Sequence, residues 1–63
     1  MWSVYDDNNN RSWDFDDKES MLEFIAEMDR QGVIDDSWWV GYDYFDRSKR
    51  NESYPITDFV YLD

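Results

Sequence analysis

Cysteine and histidine are both missing from this chain. Without cysteine there are no disulfides and no thiolate metal ligands. Without histidine the usual zinc and copper ligands, and the usual general base, are gone as well. No apolar run approaches the roughly 18 residues of a membrane-spanning helix. The first residues, Met1-Trp2-Ser3-Val4-Tyr5-Asp6-Asp7, show neither the basic start nor the apolar stretch of a secretory signal. The expected location is therefore the cytoplasm, and the sequons Asn10-Arg11-Ser12 and Asn51-Glu52-Ser53 read as chance matches. Basic residues are scarce, six Lys and Arg against sixteen Asp and Glu, for a net charge of −10. That balance argues against DNA, RNA or an anionic membrane as a direct partner, because each requires positive counter-charge.

Aromatic residues are abundant instead. Four Trp, five Tyr and four Phe occupy a chain of 63 residues, and each offers a large apolar area at low entropic cost. A single domain of this length buries only about 60% of its unfolded surface, so the aromatics must supply most of the core. They also argue against disorder, since disordered acidic chains are poor in them.

The stretch Ser37-Trp38-Trp39-Val40-Gly41-Tyr42-Asp43-Tyr44-Phe45-Asp46 organises the rest. Its β-branched and aromatic side chains suit a pleated surface. Period two places Trp38, Val40, Tyr42 and Tyr44 on an inward face, and Trp39, Gly41, Asp43 and Phe45 on a wetter one. Before it, Trp2–Tyr5 and Arg11–Phe15 alternate as two arms of a hairpin around the Asn- and Asp-rich turn at residues 6–10. A helix is predicted from about residue 17 to about residue 31, with Asp16 as its cap and Glu19 reaching back. Met21, Leu22, Phe24, Ile25 and Met28 form its apolar stripe, and Gly32 ends it with Val33 against Met28. After a polar loop at residues 47–53, Pro55 marks the entry to a last strand, with Ile56, Asp58, Val60 and Leu62 on one face. The predicted fold is α+β, in the order β-β-α-β-β, with an antiparallel sheet covered on one side by one amphipathic helix.

Charge is unevenly placed: residues 1–46 carry thirteen acids and three bases, while residues 47–63 carry three of each. Glu19, Glu23 and Glu27 follow at i, i+4 and i+8, a row on one helix face whose mutual repulsion does nothing for the fold. Asp14, Asp16, Asp17, Asp29, Asp35 and Asp36 extend the acidic surface. Two readings stand side by side, a solvated face that keeps an aromatic-rich protein soluble and a surface built to bind. If it binds, the partner is strongly basic, and inside cells such surfaces commonly hold nucleic acid. In its length, its net charge and carboxylates such as Glu19, Glu23, Glu27, Asp35 and Asp36, the chain resembles the small acidic inhibitors encoded by phages and mobile elements. These include DNA-mimic and anti-CRISPR proteins, and the likeness is one of class, with no shared motif. The resemblance implies a non-catalytic inhibitor that blocks nucleic-acid access to a basic protein, such as a CRISPR effector or other defence nuclease.

Trp39, Phe45 and Tyr61 fall on faces expected to be less covered, and aromatics are enriched at interface centres. The predicted binding set is therefore Glu19, Glu23, Glu27, Asp16, Asp17, Asp35, Asp36, Trp39 and Phe45. A non-catalytic structural or interaction module whose charge serves only solubility, as a monomer or as a homodimer through its aromatic face or a sheet edge, is the alternative. Asp6, Asn8, Asn10, Ser12, Asp14 and Asp17 also follow the oxygen spacing of an EF-hand calcium loop, but Arg11 stands where the turn requires glycine. An Asn-rich hairpin turn accounts for the same residues. No catalytic or cofactor site is expected: an acid–base pair of carboxylates needs a defined cleft, and a one-helix domain has little room for roughly 300 Å³ of pocket. The basic tip Arg47, Lys49 and Arg50 is flanked by Asp46 and Glu52 and reads as a solubilising loop.

Overall fold

Alternation of large apolar and polar residues builds the sheet, and one amphipathic segment covers it. In the computed structural model, which describes residues 1–44 and 48–62, the elements are β1 (Trp2–Asp6), β2 (Arg11–Phe15), α1 (Lys18–Arg30), β3 (Trp38–Tyr42), β4 (Glu52–Pro55) and a short 3-10 turn at Ile56–Asp58. The four strands form one antiparallel sheet in the order β2-β1-β3-β4, so β1 and β3 are central. The α+β class and the β-β-α-β-β order are as the sequence predicts.

Register decides the two faces, because directly paired residues share one. Val4 lies opposite Trp13 on one side and Val40 on the other, and Val40 lies opposite Tyr54. Trp2, Phe15, Trp38 and Tyr42 fall on this same inner face. α1 lies over β1 and β2, while the 3-10 turn closes over β3. Between the layers Val4, Met21, Ile25, Ile34, Trp38, Val40 and Ile56 are buried. A chain of rings surrounds them: Trp13 stacks on Trp38 with centroids 5.4 Å apart and tilts against Phe24 at 4.8 Å, and Trp2 meets Tyr42 at 4.7 Å.

The helix begins one residue later than predicted. Asp17 is its cap, in an extended conformation, and its carboxylate accepts the Ser20 amide at 3.0 Å. Asp16 stays outside. With Asp17 as cap the third helical residue is Ser20, so the return contact predicted for Glu19 has no place. At the other end Gly32 takes φ +71°. Its N–H donates to the Asp29 carbonyl at 3.0 Å, and the Val33 N–H to Met28 at 3.3 Å, the paired bonds of a left-handed stop. Leu22, assigned to the apolar stripe, is 40% exposed, since one residue beyond Met21 lies about 100° around the axis.

Two assignments after β3 are corrected. β3 ends at Tyr42, so Tyr44 is not a strand residue; its hydroxyl instead donates to Glu52 at 2.6 Å. Pro55 closes β4 rather than opening a strand, and Glu52 and Ser53, predicted as loop, belong to β4. Ile56 is 1% exposed, and the Phe59 and Val60 amides both donate to its carbonyl at 2.9 and 3.1 Å. The apolar residues 56, 59 and 60 fit a turn as readily as the alternation 56, 58, 60 fits a strand. With the sheet edge already occupied by β4, the turn is what places Ile56, Phe59 and Val60 on the core.

Candidate functional site

The first hairpin shows how the acids divide between fold and surface. Asp6, read as a turn residue and as the first oxygen of the calcium-like spacing, ends β1 with its side chain fully buried. Its carboxylate accepts Arg11 Nη2 at 3.0 Å, Asn9 Nδ2 at 2.9 Å and the Asn9 amide at 3.3 Å. Burial works to raise its pKa, but these donors from Asn9 and Arg11 together hold the carboxyl below its ordinary range. The other residues of the calcium-like spacing do not converge. Asn10 takes the left-handed conformation at φ +54° to turn the chain, Ser12 and Asp14 lie in β2 with Asp14 accepting the Ser3 hydroxyl at 2.7 Å, and Asp17 caps α1. Among the described residues, no group of three or more acidic side chains is placed to hold a metal ion.

α1 carries the predicted acidic row. At 100° per residue Glu19 and Glu23 point directly away from Met21 and Ile25, with Glu27 on the flank, and all three are exposed. Glu27 is engaged: Arg30 pairs with it and Gln31 Nε2 donates at 3.3 Å. Those donors, Arg30 first, hold its carboxyl below the ordinary range. Glu19 and Glu23, and Asp16 beside the helix start, have exposed carboxylates with no intramolecular partner among the described residues. Asp29 projects about 200° around the axis from Glu27, so it belongs to a different surface.

That second surface lies at the C-terminal end of α1. Asp35 accepts the Ser37 amide at 2.9 Å together with the Ser37 hydroxyl, which folds the link into β3 and leaves Asp36 exposed and unpartnered among the described residues. A groove of about 470 Å³ on one side of Asp36 is lined by Asp29, Ile34, Asp35, Tyr61 and Leu62, with Tyr61 97% exposed. A groove of about 410 Å³ on the other side is lined by Asp7, Trp39, Pro55 and Thr57, with Trp38 and Ile56 beneath.

Trp39 belongs to the sheet face that α1 does not cover. Its ring stacks on Tyr5 with centroids 4.0 Å apart and planes 12° from parallel, and its Nε1 donates to Asp7 at 3.0 Å. Gly41 makes room: a Cβ there would lie 3.2 Å from the Tyr5 ring and 3.4 Å from Trp39.

Of the nine residues predicted to bind, Glu19, Glu23, Glu27 and Asp16 share the outer side and start of the helix, while Asp36 and Trp39 flank one groove. Asp17 and Asp35 are engaged as a cap and a turn clamp, and Phe45 lies outside the described residues. Tyr5, Asp7 and Pro55 escaped the sequence reading because only strand pairing brings them beside Trp39. No helix among the described residues is long and apolar enough to cross a membrane. No protein-family model, curated protein or solved structure matches this chain.

Proposed function

We propose that this protein is a small, non-catalytic inhibitor acting inside the cell, one that occupies the basic surface of a nucleic-acid-handling protein, such as a CRISPR effector or other defence nuclease, and excludes the nucleic acid. One observation carries the reading: four of the five described bases are engaged while many acids are not. Arg11 sits on Asp6 and Arg30 on Glu27, and Lys18 and Lys49 lie over the rings of Trp2 and Tyr44. Asp16, Glu19, Glu23 and Asp36 carry exposed carboxylates with no such neighbour among the described residues. The resulting field attracts a cationic surface and steers its approach. A second copy of the chain brings the same uncompensated acids, so this surface repels itself rather than forming a dimer.

The test is capture of a bacterial nucleic-acid-binding protein on the immobilised chain at low salt, followed by displacement of that protein's own nucleic acid in a fluorescence anisotropy assay. Displacement by the wild type, with association slowed on the order of tenfold in the variant E19Q/E23Q/E27Q and at high salt, supports the reading. Capture indifferent to both salt and the triple change overturns it.

A further inference from the structure

We propose that the two grooves flanking Asp36 form the docking point for an arginine-bearing segment of the basic partner, distinct from the outer face of α1. The inference rests on the reading above that the partner is basic, and it names the place and the side chain. Each groove combines an aromatic wall with carboxylates. Tyr61 stands 97% exposed beside Asp29, Asp35 and Asp36, and Trp39 stands beside Asp7 and Asp36. Contrary to the expectation that a one-helix domain has little room for roughly 300 Å³ of pocket, the two openings measure about 470 and 410 Å³.

The chemistry favours arginine over lysine. A guanidinium stacks flat on an aromatic ring while its edge donates to a carboxylate in a fork, whereas an ammonium offers a point charge with a tighter water shell. Asp36 lies between the two grooves, and its freedom follows from its neighbour: Asp35 clamps Ser37, so the turn is held without Asp36. Asp7 is positioned by Trp39 Nε1, which donates to one of its carboxylate oxygens at 3.0 Å.

The experiment is a two-dimensional amide and indole NMR titration of the full chain at low salt, with the peptide acetyl-Gly-Arg-Gly-Arg-Gly-amide as probe. The controls are its lysine and citrulline counterparts. Saturating shifts at residues 35–39 and at the Trp39 indole, stronger with arginine than with lysine and lost with citrulline, are the expected result. Asp36→Asn and Tyr61→Ala, both at exposed positions, should each weaken binding about fivefold, while E19Q/E23Q/E27Q weakens it less and keeps the preference for arginine over lysine. Shifts confined to α1, or equal loss in the triple variant, overturn the groove proposal while leaving the acidic-field reading standing. If the captured protein is held equally by wild type and Asp36→Asn, the groove proposal fails on its own. If capture and displacement fail while the grooves still bind the arginine peptide, the inhibitor reading fails and the grooves remain a guanidinium site.

Discussion

At the scale of single residues, the same side-chain chemistry serves opposite ends according to what surrounds it. Asp6, Asp17 and Glu52 are acids of an acidic chain, yet each carboxylate receives two or more hydrogen bonds or caps a helix and so belongs to the fold. Glu52 accepts both the Tyr44 and Tyr54 hydroxyls, which lowers its own pKa and pushes Tyr44 up to about 12. A carboxyl whose folded pKa lies below its ordinary 3.8, like Asp6, stabilises the fold above that value and stops doing so as pH falls through the lowered one. Tyr44 works in the other direction: its contribution is complete below its ordinary 10.0 and disappears as pH rises through about 12. Thermal melts across pH should therefore show Tm falling on the acid side through the pKa values of Asp6, Asp17, Glu27 and Glu52, and on the alkaline side above 10.0. Asp6→Asn should lower Tm near neutrality and flatten the acid limb. An unchanged limb would mean that the buried contact with Arg11 and Asn9 does not contribute.

At the scale of elements, α1 illustrates how far local rules reach. Its stop was readable from Gly32 and its apolar stripe from the spacing of Met21, Phe24, Ile25 and Met28, because both depend on residues within a few positions of each other. Its start slipped by one residue because Asp16 and Asp17 offer the same capping oxygen, and only the chain's arrival from β2 selects between them. Met21 is 0% exposed and Leu22 40%, although they are neighbours of similar hydrophobicity. Met21→Ala should cost about 2–5 kcal/mol, a large share of the stability of so small a chain, while Leu22→Ala should cost about 1 kcal/mol or less. Urea unfolding followed by tryptophan fluorescence checks both, and equal losses would mean that the helix is rotated from the orientation described. The final segment escaped the sequence reading because its apolar spacing satisfies a strand and a 3-10 turn alike.

At the scale of the whole molecule, net charge is the dominant feature. A total of −10 on 63 residues repels itself in the compact state, and uncompensated acids along α1 and at the turn before β3 concentrate that repulsion. Screening should therefore stabilise the protein: calorimetry between about 0.02 and about 0.5 M sodium chloride should show Tm rising by several degrees. A falling Tm would mean that the ion pairs Asp6–Arg11 and Glu27–Arg30 outweigh the repulsion. The same salt that stabilises the fold should weaken the proposed partner complex, and that opposition separates a binding surface from one that serves solubility alone.

The sequence by itself determined the order of elements, the register-setting alternation of β1 and β3, the Gly32 stop and the sign of the field. All of these follow from spacing, turn chemistry and composition, which act over short stretches of chain. Only the tertiary structure decided which carboxylates face solvent and which are held inside. It also stacked Tyr5 on Trp39 over Gly41, folded Ile56–Asp58 into a turn, and set two grooves on either side of Asp36. Those outcomes depend on residues brought together from distant strands, where burial and hydrogen-bond partners, rather than residue type, determine what an acid does.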